Sequence, residues 1–185
     1  AEDQLSKMPN ATNVRVAMTD EALRVFQSIH KQRPDDRALS MDYAQVSRKA
    51  ANLYRLINRN EKARALSDEA LRILKGLASN PTGDQKLRDR LAETLRDHSI
   101  ILKNVGEIEH AAETLEQAQQ IVAQLQAEYP NSSDYYRTGA TVQLDLAGLQ
   151  KQTGLSESAL DNASEAAIAF RVLADGPDAA AHDTA

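Results

Sequence analysis

The sequence predicts an all-α chain, a solenoid of antiparallel helix pairs with about seven helices. Three observations carry this. Among 185 residues, aromatics are only 4%, with seven Gly and five Pro, while Ala, Leu, Glu, Gln and Arg abound, a mixture that favours helix over sheet. The chain repeats itself at a spacing of 48: DEALRVFQSIH begins at Asp20 and DEALRILKGLA at Asp68. Apolar residues between the turn signals recur in steps of three and four, the period of one helix face.

The elements follow in order. Residues 1–10 read as the frayed end of a preceding repeat or a linker: Leu5 stands where Leu53 stands, and Pro9 interrupts the match. Residues 11–32 form one helix, half a repeat. Repeats then span 36–79, 85–128 and 133–174, with helices expected over 36–57, 60–79, 85–104, 107–128, 133–152 and 155–174. Leu39, Tyr43, Val46, Ala50, Leu53 and Ile57 form the apolar stripe of the first of these. Leu87, Leu91, Thr94, His98, Ile101 and Val105 repeat it, and Tyr135, Val142, Leu146 and Leu149 repeat it more weakly. In the second helices Ala63, Ala111 and Ala159 align, as do Ala70, Ala118 and Ala166. Asn58, Gly106 and Gly154 take the turns within pairs. RPDD, NPTGD and YPNSSD separate the copies, each with a Pro to stop one helix and an Asp or Ser to cap the next. Residues 175–185 read as a disordered tail. The whole of 11–174 is one array.

Composition also excludes. The net charge of −5 argues against general nucleic-acid binding. The absence of cysteine removes thiol catalysis, thiolate metal sites and disulfides. No apolar run reaches the roughly 18–20 residues of a membrane span, and no signal peptide is visible. The chain begins at Ala1 and reads as a processed form or a piece of something longer. A cytoplasmic location is the default expectation.

Local chemistry is weak. Asp97, His98 and Ser99 carry triad letters, yet adjacent helical residues point about 100° apart and form no relay. His98 falls on the core stripe and reads as a buried structural residue. Glu107, Glu109 and His110 lack a second His at helical spacing, so no metal is expected. Asn131–Ser133 and Asn10–Thr12 match the glycosylation pattern, which is common by chance, and Asn131 reads as loop and cap chemistry. Tyr135 and Tyr136 read as packing residues at a repeat junction. There is no Gly-rich phosphate loop and no nucleophile with a base nearby, so neither an enzyme nor a cofactor is expected.

The order Gly106, Ala111, Ala118, Pro130 resembles the tetratricopeptide repeat, as do Gly154, Ala159, Ala166 and, with Asn for Gly, Asn58, Ala63, Ala70. The resemblance covers residues 11–174. The family repeat is about 34 residues, so each helix here is longer by about seven, which turns its apolar face by only about 20°. Long repeats of this kind, with AEYPNSSDYYR between copies, resemble arrays that follow bacterial serine/threonine kinase domains. Such an origin would allow an extracytoplasmic location behind a membrane anchor. The resemblance implies a right-handed superhelix whose first helices line a concave groove for partner peptides.

Off the core stripe of those first helices lie Gln45, Arg48, Asn52 and Arg55, then Glu93, Arg96, Ile100 and Lys103 with Asn104, then Thr141, Leu144, Gly148 and Lys151. Arg55, Lys103 and Lys151 are one repeated position, always basic. In chaperone-binding relatives, basic residues and Asn clamp a C-terminal carboxylate. Arg48 and Asn52 match half of that clamp, while Asp97, Thr141 and Asp145 depart from it. The expected function is therefore a non-enzymatic protein-interaction scaffold, holding an anionic peptide or protein segment by Arg48, Arg55, Arg96 and Lys103, with Asn52 and Asn104 on its backbone. The competing reading of these residues is ordinary surface pairing with Asp42, Glu93, Asp97 and Asp145. The alternative function is a self-assembly module, a homo-oligomer through the array ends. A non-peptide effector would need groove aromatics, for which Tyr54 is the candidate.

Overall fold

The computed structural model describes residues 11–78 and 84–175. They form seven α-helices and no strand: α1 (Ala11–Gln32), α2 (Arg37–Leu56), α3 (Asn60–Ala78), α4 (Gln85–Asn104), α5 (Ile108–Glu128), α6 (Ser133–Gln152) and α7 (Ser156–Asp175). The boundaries fall within one residue of those expected from the sequence. The segments 1–10 and 176–185 lie outside the described residues, and so do the expectations about them.

The chain divides into two compact units, 1–82 and 83–185. In the first, α2 packs against α1 and α3. In the second, α5 packs against α4 and α6, and α6 against α7. Each unit is thus built from consecutive antiparallel helices, the helix-pair architecture that the sequence predicts.

The turns within pairs are three copies of one structure. Asn58, Gly106 and Gly154 have φ of 58°, 85° and 83°, the left-handed conformation. Their N–H groups donate to the carbonyls of Arg55, Lys103 and Lys151, and the next residues, Arg59, Glu107 and Leu155, donate to Tyr54, Leu102 and Gln150. This double bond pattern closes the last turn of each first helix and satisfies carbonyls that would otherwise be orphaned. Between pairs, Asp36 and Asp84 cap α2 and α4 by accepting from the N–H of Leu39 at 3.0 Å and Leu87 at 3.1 Å. Ser132 stands at the same position before α6 but makes no side-chain cap bond.

Small residues set the closeness of each pair. Ala63, Ala70, Ala111, Ala118 and Ala166 are wholly enclosed, and Ala159 nearly so. The core stripe needs a correction in α2. Tyr43 and Ala50 are buried as expected, but Leu39, Val46, Leu53 and Ile57 keep some exposure. Ser40, Ala44, Ser47, Ala51 and Tyr54, one residue further round, are buried instead. The reason is that α2 has a helix on two sides, so its buried arc is wider than one stripe. In α4 the expected residues are buried apart from Val105, and Ala92, Leu95, Ser99 and Leu102 are buried beside them. Two buried threonines satisfy their hydroxyls one turn back: Thr94 donates to the Arg90 carbonyl and Thr114 to the His110 carbonyl, each at 2.7 Å.

Candidate functional site

The nine residues expected to face a ligand all escape burial. Gln45, Arg48, Asn52 and Arg55 are half-buried along one face of α2. Arg48 Nε donates to Gln45 Oε1 at 3.3 Å and Arg55 Nε to Asn52 Oδ1 at 3.4 Å, so the four bond in pairs along their own helix. In the second unit Glu93, Arg96 and Lys103 are half-buried on α4, and Asn104 and Lys151 are exposed.

Arg96 is committed elsewhere. Its Nε lies 2.6 Å from Asp145 Oδ2 on α6, and its Nη1 lies 3.9 Å from Asp97. The pairing reading therefore describes Arg96. The repeated basic position also has a local cause. Arg55, Lys103 and Lys151 each occupy the last turn of a first helix. A cation there interacts favourably with the negative end of the helix dipole.

What the second unit does bring together is a cleft of about 160 Å³, lined by Ser99, Ile100, Lys103 and Asn104 of α4, Leu115 of α5, and Asp145 and Leu149 of α6. That is room for one side chain, since a cavity of about 150 Å³ accepts a benzene ring. The walls come from the two first helices of the unit and the floor from the second helix between them. Ser99 is turned away, its hydroxyl donating to the Arg96 carbonyl at 2.7 Å. Asp145 is engaged by Arg96, and the other polar side chains of the lining are the Lys103 ammonium and the Asn104 amide.

Other sequence candidates resolve plainly. His98 is 7% exposed in the core of the second unit. His110 Nδ1 lies 3.2 Å from Glu107 on the surface. Among the described residues no three metal-ligating side chains cluster, and no helix is long and apolar enough to cross a membrane. Tyr135 is buried, accepting from Gln85 Nε2 at 2.6 Å. Tyr136, expected to pack as well, is 37% exposed. Tyr54 is fully buried, so it supplies no groove aromatic. The position it shares with Leu102 points to the core, a register that the burial of Leu102 confirms.

Sequence reasoning missed the polar cluster of the first unit. The Tyr54 hydroxyl donates to the Asp20 carboxylate, and Lys62 Nζ donates to Asp20 at 3.0 Å and to Tyr54 Oη at 2.7 Å. Lys62 also sits 4.1 Å from the Tyr54 ring centre. The Tyr54 hydrogen bond, with Lys62 and Arg24 nearby, holds the Asp20 carboxyl below its ordinary 3.8 despite partial burial. Burial alone would lower Lys62, but the hydrogen bonds to Tyr54 and Asp20 outweigh it and raise it above 10.5. The signal in the sequence was slight: three polar residues on three helices, 34 and 8 positions apart.

No known family model matches the chain, and no curated protein is similar enough to count as a relative. Among solved structures the chain is similar to BtubC (BKLC) from P. vanneervenii, with a TM-score of 0.62 and 21% identity over 87% of this chain and 57% of that one. It thus spans little more than half the length of BtubC. Two structures of MamA also overlap it. The one titled MamA MSR-1 C2 has a TM-score of 0.44 and 17% identity over 85% of this chain and 71% of that one. The other has a TM-score of 0.34 and 14% identity over 91% and 98%. The MamA overlaps are too slight to bear on the fold. The likeness to BtubC is one of fold: the chain is a helical-repeat protein of the kind its sequence predicts.

Proposed function

We propose that this chain is a protein-interaction module whose second unit receives an acidic side chain or chain terminus between α4 and α6. The observation that carries the reading is the cleft itself, lined by the apolar Ile100, Leu115 and Leu149 and by Lys103 and Asn104, with its one carboxylate, Asp145, held by Arg96. A carboxylate there would gain the Lys103 ammonium and the Asn104 amide, while a short apolar stem filled the floor. The first unit by itself carries a second donor set on α2, Gln45, Arg48, Asn52 and Arg55, suited to an anionic segment of its own. The resemblance to arrays that follow bacterial kinase domains suits a module of a larger signalling protein. No catalytic role is assigned.

The test is binding of short fluorescent peptides, acidic and amidated or neutral, to the wild type and to Lys103→Ala/Asn104→Ala. The acidic peptides should bind best and lose about tenfold in the double variant, a gap that salt narrows. Equal binding of all peptides, or no loss in the variant, sinks this reading. A second reading, self-assembly, is favoured by Val14, Met18, Val25 and Ile29, which form an exposed apolar stripe on α1. Mass in solution that rises with concentration, and falls back in Met18→Gln/Val25→Gln, would support it.

A further inference from the structure

The last helix departs from its own repeat. Ile168 stands where Arg72 and Gln120 stand in the earlier second helices, and Val172 where Gly76 and Gln124 stand. Two solvent-facing positions have become branched and apolar, and they are 59% and 65% exposed. They are not scattered. With Tyr136 of α6 and Gln126 of α5 they line a groove of about 370 Å³ between α5, α6 and α7. Its polar rim is partly fixed, Gln143 donating to Glu165 at 2.6 Å.

The same face of α7 continues toward its N-terminus as a column of carboxylates. Glu157, Asp161 and Glu165 follow at intervals of four, and Ile168 and Val172 extend that row. Residues four apart share a helix face, so this strip runs about 22 Å from Glu157 to Val172 at 1.5 Å per residue. One half is acidic and the other apolar. Glu157 and Asp161 are exposed.

We infer that this strip docks a partner helix of basic amphipathic character, distinct in place and in charge from the cleft between α4 and α6. Apolar anchors one turn apart would enter the groove beside Tyr136, Ile168 and Val172. Lys or Arg on the following turns would meet Glu165, Asp161 and Glu157. Charge complementarity selects this occupant. An acidic helix would set like charges against three carboxylates, a repulsion that discriminates strongly between partners. The chain's own residues 176–185 do not fit the strip, holding two aspartates and no Lys or Arg.

The test uses a synthetic amphipathic helix with leucines one turn apart and lysines along the next turns, and the same peptide with glutamate for lysine. The full chain should bind the lysine peptide about tenfold more tightly than the glutamate peptide, with the gap closing in high salt. Ile168→Gln/Val172→Gln restores residues of the kind found at positions 120 and 124, so α7 should keep its helix, as circular dichroism would show; it should lose about tenfold in affinity. Asp161→Lys, which leaves the apolar groove untouched, takes the strip from three negative charges to a net of one, so it should narrow the preference between the peptides several-fold and decides the matter even where the double variant unfolds. Lys103→Ala/Asn104→Ala should change nothing, which separates failure here from failure of the cleft. Equal binding of both peptides, or an unchanged preference in Asp161→Lys, overturns the inference. A concentration-dependent mass abolished by Ile168→Gln/Val172→Gln would also overturn it, by making a second copy the occupant.

Discussion

Lys62 on α3 reaches Asp20 on α1 at 3.0 Å, while Tyr54 of α2 donates to the same carboxylate. Three helices meet at one oxygen, and α1 is tied to the pair behind it. Asp20 has a folded pKa below 3.8, so its contribution is present above that value and lost as pH falls through the lower folded one. Lys62 is raised above 10.5, so its contribution is present below that value and lost as pH rises through the higher folded one. Asp20→Asn should cost about 1 kcal/mol, kept small by solvent screening. The cost should be constant from pH 5 to 9 and vanish toward pH 2, read as the gap between two thermal unfolding curves. A gap that persists at pH 2 would show that the carboxylate charge is not what binds α1.

Ala118 leaves no room for growth. It is wholly enclosed where α5 meets its partners. Ala118→Leu adds three carbons at the closest approach and should cost about 1–3 kcal/mol. Ala112, one turn and a half earlier, keeps some exposure, so Ala112→Leu should cost less. Urea unfolding of both variants checks the order; equal, small costs at the two positions would mean that alanine is present only for helix propensity.

The turn glycines make a second contrast. Gly106 has φ of 85° and an added Cβ would touch nothing within 4 Å, so the cost of Gly106→Ala is purely conformational, about 1–2 kcal/mol. Gly148 lies inside α6 with equal space around it. Gly148→Ala should therefore gain up to about 1 kcal/mol. Opposite signs from the same substitution, measured by chemical denaturation, are the expected outcome. Gains at both positions would mean that the turn does not require a positive φ.

Much of the fold was legible because it rests on local rules repeated three times. Asn58, Gly106 and Gly154 announced their turns by residue type, and Ala111 and Ala118 announced close packing by size. The site was less legible because exposure does not reveal a partner. Arg96 and Lys103 look alike in the sequence, both basic and off the apolar stripe. Only the fold shows that Asp145, 49 residues away, takes one and leaves the other in the lining of a cleft. Tyr54 was misplaced for a related reason. A stripe one residue wide assigned it to the surface, whereas α2 buries a wider arc. Ile168 and Val172 passed unnoticed because two apolar residues on an alanine-rich helix look ordinary until the other copies are set beside them.

The Arg96–Asp145 pair yields the sharpest check on the cleft. Its side chains are 30% and 29% exposed, so the pair contributes at most about 1 kcal/mol to stability. Asp145→Asn removes the charge with little change in volume and releases the Arg96 guanidinium beside Lys103. Stability should fall by no more than about 1 kcal/mol. Affinity for an acidic peptide should rise, because a negative charge leaves the lining and a fork-shaped donor becomes available. Arg96→Ala in the wild type should lower peptide affinity, since it leaves the Asp145 carboxylate uncompensated in the lining, whereas in the Asp145→Asn background it should remove only the part of the gain that the released guanidinium supplies. Peptide titrations of the four proteins give this coupling directly. Additive effects with no gain in Asp145→Asn would place the ligand elsewhere than between α4 and α6.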